Sequence, residues 1–177
     1  MSTVDNLKTS SSGHARIELS DFPGEEPLTH EGNNWKMDTI TRLSPHELVA
    51  VAETGIPPAL SEIIDIDIDT FPELPADHPQ HERRKLERIK IQTTNMGNEE
   101  RRRRVTLRAW TTLFESLRSS CVKKAPLLAN ELYELCALSS RGVPGGYFDG
   151  PRAWAILMGR VDGGAVERQE SDKAFYS

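Results

Sequence analysis

Leu107-Arg108-Ala109-Trp110-Thr111-Thr112-Leu113-Phe114-Glu115-Ser116-Leu117-Arg118-Ser119-Ser120-Cys121 is the stretch whose reading decides the fold. Leu107, Trp110, Phe114, Leu117 and Cys121 recur at steps of three and four, so one turn of helix after another brings them to the same stripe, with Leu113 beside it. This is the expected core helix. Upstream, Leu86, Ile89, Thr93 and Met96 keep helical spacing up to Gly97, which predicts a helix over about 80 to 96. Asn98 then caps the next helix, with Glu99 and Glu100 at its positive end. Downstream, Pro126 opens a helix in which Leu128, Leu132, Leu135 and Cys136 share a face. The chain breaks at Arg141-Gly142-Val143-Pro144-Gly145-Gly146. Asp149-Gly150-Pro151 then introduces Ala153, Trp154, Leu157, Met158 and Val161, a helix expected to stop at Asp162-Gly163-Gly164.

Toward the N-terminus, Asn33-Asn34 precedes Trp35, Met37, Ile40 and Leu43, a short helical pattern. Ser44-Pro45-His46-Glu47 reads as an N-cap, a proline at the first helical position and a glutamate that reaches back to free donors. Leu48, Val49, Val51 and Ala52 follow, and Gly55 closes that helix. Five or six amphipathic helices without paired strands predict an all-α fold, a small helical bundle over residues 34–161. Its core is expected to contain Trp35, Trp110, Phe114, Leu117, Leu128, Leu132, Leu135, Trp154 and Leu157. Residues 1–33 carry only Ile17, Leu19 and Phe22 among polar residues, glycine and proline, and are expected to form a disordered tail. Residues 162–177 are expected to fray. Residues 56–79 hold five prolines and the alternation Ile63-Ile64-Asp65-Ile66-Asp67-Ile68-Asp69. A lone strand cannot satisfy its backbone, so this segment reads as a long connector inside the domain.

The chain has 177 residues, 37% of them hydrophobic, which suits one domain. No window approaches the roughly 18 consecutive apolar residues of a membrane span, and the polar N-terminus has no signal-like apolar run. Two cysteines point to a reducing compartment, so a cytoplasmic location without a membrane partner is expected. The net charge of −5 is unevenly spread: His81 to Lys124 hold 13 Lys+Arg against five Glu, a balance of +8 that leaves −13 for the rest. Such asymmetry marks either a polyanion-binding face or surfaces that attract each other between copies.

Catalytic and metal motifs fail on inspection. Asp65, Asp67 and Asp69 start like a calcium loop, but Thr70 stands at the glycine position and Ala76 where a bidentate glutamate is required. His78 and His81 are two ligands where zinc wants three or four. The glycines from Gly142 to Gly150 lack the Lys-Ser/Thr ending of a phosphate loop. Cys121 and Cys136 lie on apolar stripes, where a thiol is inert. No enzyme activity, cofactor, metal or small-molecule substrate is therefore expected. The pointed polar feature is Arg101 to Arg104. Four consecutive residues ring a helix, so only some of them can face a phosphate backbone. The candidate nucleic-acid contacts are Arg83, Arg84, Lys85, Arg101, Arg103, Arg104 and Arg108. In the competing account Glu99, Glu100 or the Asp65 to Asp69 run neutralises the arginines within the protein.

Trp35-x-Met37, Leu43 and His46-Glu47-Leu48-Val49-Ala50-Val51-Ala52-Glu53-Thr54-Gly55, followed by a proline-containing connector, resemble the opening of the Gag-like, capsid-type region of copia-type LTR retrotransposon polyproteins. Leu107, Trp110, Leu113, Phe114 and the pair Ser116-Leu117 are similar to that family's middle helix. Asp149-Gly150-Pro151-Arg152-Ala153-Trp154-Ala155-Ile156-Leu157 resembles its Ala-Trp-x-x-Leu helix. The resemblance covers roughly residues 33–161 and the N-terminal part of that region only; no second capsid-like half, zinc knuckle or protease is read here. It implies a retrotransposon structural protein that self-associates through helical faces and holds RNA through its basic centre. The alternative is a small intracellular helical protein-interaction module with no nucleic-acid role.

Overall fold

The structure, a computed structural model, describes the backbone of residues 16–176 and the side chains of residues 16–163. The described residues form five α-helices: α1 (Thr29–Leu43), α2 (Leu48–Thr54), α3 (His81–Cys121), α4 (Pro126–Cys136) and α5 (Gly150–Tyr176). Short 3-10 turns lie between them, and the one extended pairing among the described residues is a single bridge, Ala137 to Phe148. The fold is all-α. The chain divides into two compact units, Met1–Pro58 with Leu107–Ser177, and Ala59–Thr106; α3 contributes residues to each.

In the first unit α5 packs against α1, α2 and α4. Leu113, Phe114, Leu117 and Cys121 of α3 enter the same core with Leu128, Leu132, Trp154 and Leu157. Trp35 is buried as well, while Trp110 is half-buried and donates its indole N–H to the carbonyl of Gly55 at 2.8 Å. Gly55 ends α2 at φ +74, a left-handed conformation that costs glycine nothing. Leu135 departs from the expected core and is 39% exposed. The buried face of α4 is Leu128, Ala129, Leu132 and Cys136, and the burial of Ala129 turns that arc away from Leu135.

Four further expectations are corrected. Residues 16–33 are not a disordered tail: Phe22 is fully buried, and Ile17 and Leu19 pack against the core. The disorder expected for residues 1–15 lies outside the described residues. Helix α1 begins at Thr29, ahead of Asn33, and sets Gly32 against α5, where a Cβ would come within 3.2 Å of Val161 Cγ1. The Ser44 capping box is not made. Ser44–His46 instead continue α1 as a 3-10 turn, and Glu47 takes φ +59 before α2, which has no side-chain cap. Helix α5 also runs through Asp162-Gly163-Gly164 to Tyr176 rather than fraying at 162, since each glycine costs a helix only about 1 kcal/mol.

Among the described residues two buried side-chain atoms lack a hydrogen-bond partner, Thr39 Oγ1 and Arg118 Nε. Thr39 is fully buried and its hydroxyl makes no hydrogen bond. An unsatisfied buried hydroxyl costs about 1–3 kcal/mol, and valine has the same shape without the oxygen. Thr39→Val is expected to raise unfolding stability by about 1 kcal/mol; a lowered urea midpoint would show that the hydroxyl contributes in some other way.

In the second unit the expected break at Gly97-Asn98 is absent, and α3 passes straight through it. Asn98 does not cap a new helix. Its amide donates instead to Ile64 O and Asp65 Oδ1, both at 3.2 Å. This contact belongs to a ladder that explains the connector. Asn95 pairs with the backbone of Ile66 through both amide groups, at 3.0 and 2.8 Å. Arg102 donates to Ile63 O at 3.2 Å and lies 2.9 Å from the Asp65 carboxylate. Arg88 donates to Phe71 O at 2.6 Å, Arg84 to Pro72 O at 2.8 Å, and His81 Nδ1–H to Leu74 O at 2.9 Å. The partners on α3 are residues 81, 84, 88, 95, 98 and 102, with buried Ile91 between 88 and 95, so they recur every three or four residues. The connector therefore runs antiparallel along one stripe of α3, its backbone satisfied by side chains where a sheet would have used a second strand.

Candidate nucleic-acid interface

Helix α3 advances about 100° per residue, which sorts its first 24 or so residues into three faces. The first is the strap face just described, which consumes Arg84, Arg88 and Arg102. Arg84 also lies 3.3 Å from Glu87 and over the Phe71 ring at 5.8 Å. Arg102 holds the Asp65 carboxyl below the usual carboxylate range, chiefly through its hydrogen bond, with help from Asn98. A depressed folded pKa stabilises above the unfolded value and is lost as pH falls through the folded one. This clamp is thus intact at neutral pH and opens only in acid.

The second face is basic. Arg83 and Arg101 are 18 residues apart, about five full turns, and Lys90 and Arg104 fall within about 60° of that line. Among the described residues, Lys90, Arg101 and Arg104 have neither a hydrogen bond nor an ion pair, while exposed Arg83 lies 3.5 Å from Glu87. Of the candidate contacts, then, Arg83, Arg101 and Arg104 come together, and Arg84 is withdrawn into the strap. Lys85 lies on the far side of the helix, lining a shallow groove with Leu74, Ile89 and Gln92. Arg103 projects elsewhere too, 4.0 Å from Glu100. Arg108 is exposed and belongs to the first unit. Lys90 was missing from the sequence-based set. Its spacing of eleven residues from Arg101, about three turns, would have found it had the helix not been expected to break at Gly97.

The third face is apolar and exposed: Leu86 60%, Ile89 48% and Met96 71%, with Thr93 between them. These residues carry the periodicity that predicted a helix here, but none is buried by a core.

Burial pushes the Cys121 thiol up to about 12 and the Cys136 thiol to about 11, so neither is a thiolate at neutral pH. His78 accepts from the Gln80 N–H and His81 binds Leu74, which uses both histidines in turning the chain into α3. Among the described residues no group of three or more His, Cys, Asp or Glu is placed to hold a metal ion. The glycine-rich loop is a built turn. Phe148 stacks on Phe114 at 4.2 Å, and Asp149 accepts from Arg141 at 2.6 Å and caps the start of α5 at the Arg152 N–H. Among the described residues no helix is long and apolar enough to cross a membrane. Comparison with protein-family models, curated proteins and solved structures found no match.

Proposed function

We propose that this protein is a Gag-like structural protein that self-associates through helical faces and holds RNA on the basic face of α3. The observation that carries this reading is the division of labour within the arginine run. Arg102 is used by the connector, whereas Arg101 and Arg104, one turn apart, remain solvated and aligned with Lys90 and Arg83. A row of cations with little acidic company matches a phosphate backbone, and the absence of interleaved aromatic residues suits contact with phosphates rather than bases. The alternative, an interaction module with no nucleic-acid role, draws on the exposed apolar face alone.

Salt dependence separates the two. Anisotropy of a labelled single-stranded RNA, titrated with protein across a salt series, is expected to show log K falling with log salt. The pair Arg101→Gln and Arg104→Gln should flatten the slope by about 1.4, or 0.7 for each lost phosphate contact. Stability should move by under about 0.5 kcal/mol, because both side chains are exposed. An unchanged slope, or no RNA binding by the parent chain, leaves the interaction module standing.

A further inference from the structure

The strap along α3 covers cations and is loosely built. Among the described residues 59–80 none is buried, and Leu60, Ile63, Ile68 and Leu74 alone are half-buried. Side chains of α3 hold it by its backbone, through bonds that are mostly open to solvent, as at Asn95, Arg88 and Arg84. A segment with little buried apolar surface and exposed hydrogen bonds belongs to the part of a protein that opens first. Beneath it lie Arg84, Arg88 and Arg102. Arg84 and Arg102 are 18 residues apart, about five turns, and Arg88 falls about 40° from their line, so the three form a row of their own. That row lies about 100° around the helix from Arg83 and Arg101. We propose that the strap is a displaceable cover: RNA bound along the basic face peels residues 59–80 off α3 and takes Arg84, Arg88 and Arg102 as a second row of phosphate contacts. The proposal rests on the RNA reading above and names what regulates that site.

The strap behaves as an internal polyanion. Residues 59–80 hold six Asp or Glu and no Lys or Arg, whereas residues 81–106 hold nine Lys or Arg against four Glu. Strap charge cancels the excess on the helix while the strap is in place, and the field that draws RNA is restored when it leaves. The individual bonds favour the exchange as well. Arg84 donates to the Pro72 carbonyl at 2.8 Å, Arg88 to that of Phe71 at 2.6 Å and Arg102 to that of Ile63 at 3.2 Å. These acceptors are neutral; the carboxylates add Asp65 at 2.9 Å from Arg102 and Glu73 only at 4.0 Å from Arg88. A phosphate brings a full negative charge and paired oxygens that fit the guanidinium fork, and a carbonyl brings neither. The two uncharged bonds between Asn95 and Ile66 oppose displacement, because RNA replaces nothing there. In the free chain acid opens the Asp65 clamp; RNA opens it at neutral pH by competing for Arg102.

The test is hydrogen exchange of the full chain with and without saturating single-stranded RNA. The Ile66 N–H donates to Asn95 Oδ1 at 3.0 Å, so it is expected to lose protection when RNA binds. The Phe22 amide, in the other unit, serves as reference and should keep its protection. Asn95→Ala removes two strap ties and alters no charge. It is expected to bind RNA about tenfold more tightly than wild type, because less of the binding free energy goes into opening, with the same salt slope. Arg88→Gln combined with Arg102→Gln should flatten that slope by about 1.4, or 0.7 for each lost phosphate contact, although both lie outside the solvated row. RNA bound to the wild type with Ile66 still protected overturns the cover and leaves the basic-face reading standing. Wild-type affinity in Asn95→Ala, or an unchanged slope in the arginine pair, does the same. Failure of wild type and Asn95→Ala alike to bind RNA overturns both readings. The exchange measurement needs no variant, so it decides the question if Asn95→Ala fails to fold.

Discussion

Phe22→Ala is expected to cost about 3–5 kcal/mol of stability, the range for truncating a fully buried phenylalanine. Phe22 is completely shielded and meets the Trp35 ring edge-on at 4.9 Å, and its N–H donates to Ser120 O at 2.8 Å. The side chain anchors residues 16–28, a segment without regular secondary structure and therefore without a hydrogen-bond ladder of its own. Its other ties are scattered hydrogen bonds and the partial packing of Ile17 and Leu19. The Ile17 N–H donates to Ser116 Oγ at 2.7 Å, and the Trp35 indole N–H donates to Ser20 O at 2.9 Å. The Glu25 carboxylate accepts from the N–H groups of Leu127 and Leu128 at 2.8 and 3.0 Å. That last pair caps α4, whose own first residues offer no side-chain cap. Ordering a backbone residue costs roughly 1–2 kcal/mol, so these bonds do not hold the segment once its largest buried side chain is gone. Urea denaturation should show the lower midpoint, and hydrogen exchange should show the Ile17 and Phe22 amides losing protection. A loss under about 1 kcal/mol with protection intact would mean that the segment is held by something other than Phe22.

Gly150→Ala and Gly97→Ala make a matched pair with opposite signs. Both glycines lie in helices, Gly150 at the first position of α5 and Gly97 inside α3, where helix propensity alone favours alanine by about 1 kcal/mol. At Gly97 a Cβ meets nothing within 4 Å, so the substitution is expected to stabilise α3 by that amount. At Gly150 a Cβ would run into the backbone carbonyl oxygen of Trp110 and stand 2.9 Å from Leu113 Cβ. A backbone atom cannot swing aside as a side chain can, so α5 must shift off α3. The expected cost is about 3 kcal/mol, at the upper end for overpacking and well beyond the propensity gain. Thermal melts of the two variants decide it. A Gly150→Ala protein as stable as the parent would show that the approach of these helices is loose.

The glycine pair also marks where local reading ends. Gly97 looked like a helix end because glycine usually is one, yet a single glycine is a small penalty, and the connector's ladder through Asn95, Asn98 and Arg102 more than offsets it. Gly150 looked like part of a helix start and is one; that it also marks the closest approach of α3 and α5 depends on the residues facing it across the core. Of the candidate site, the arginine run was legible as a cluster. Its division into a strapped member and a solvated face was not, because Arg102 and Asp65 lie 37 positions apart with no periodic signal joining them.

What the sequence determined by itself is the all-α class and the stripes around Phe114, Leu117, Leu132, Trp154 and Leu157. Burial on one side of a helix imprints a period of about 3.6 residues that can be read locally. The same period at Leu86, Ile89 and Met96 is equally clear and yet exposed, since periodicity reports that a face is apolar and not what covers it. Only the tertiary structure decided that residues 16–28 and the Asp-rich connector are ordered. Neither segment carries a helical period, and both are held by buried side chains or by side chains reaching their backbone from 7 to 135 positions away. Such contacts come into being when the helices that carry the partners have formed, and a chain read residue by residue does not contain them.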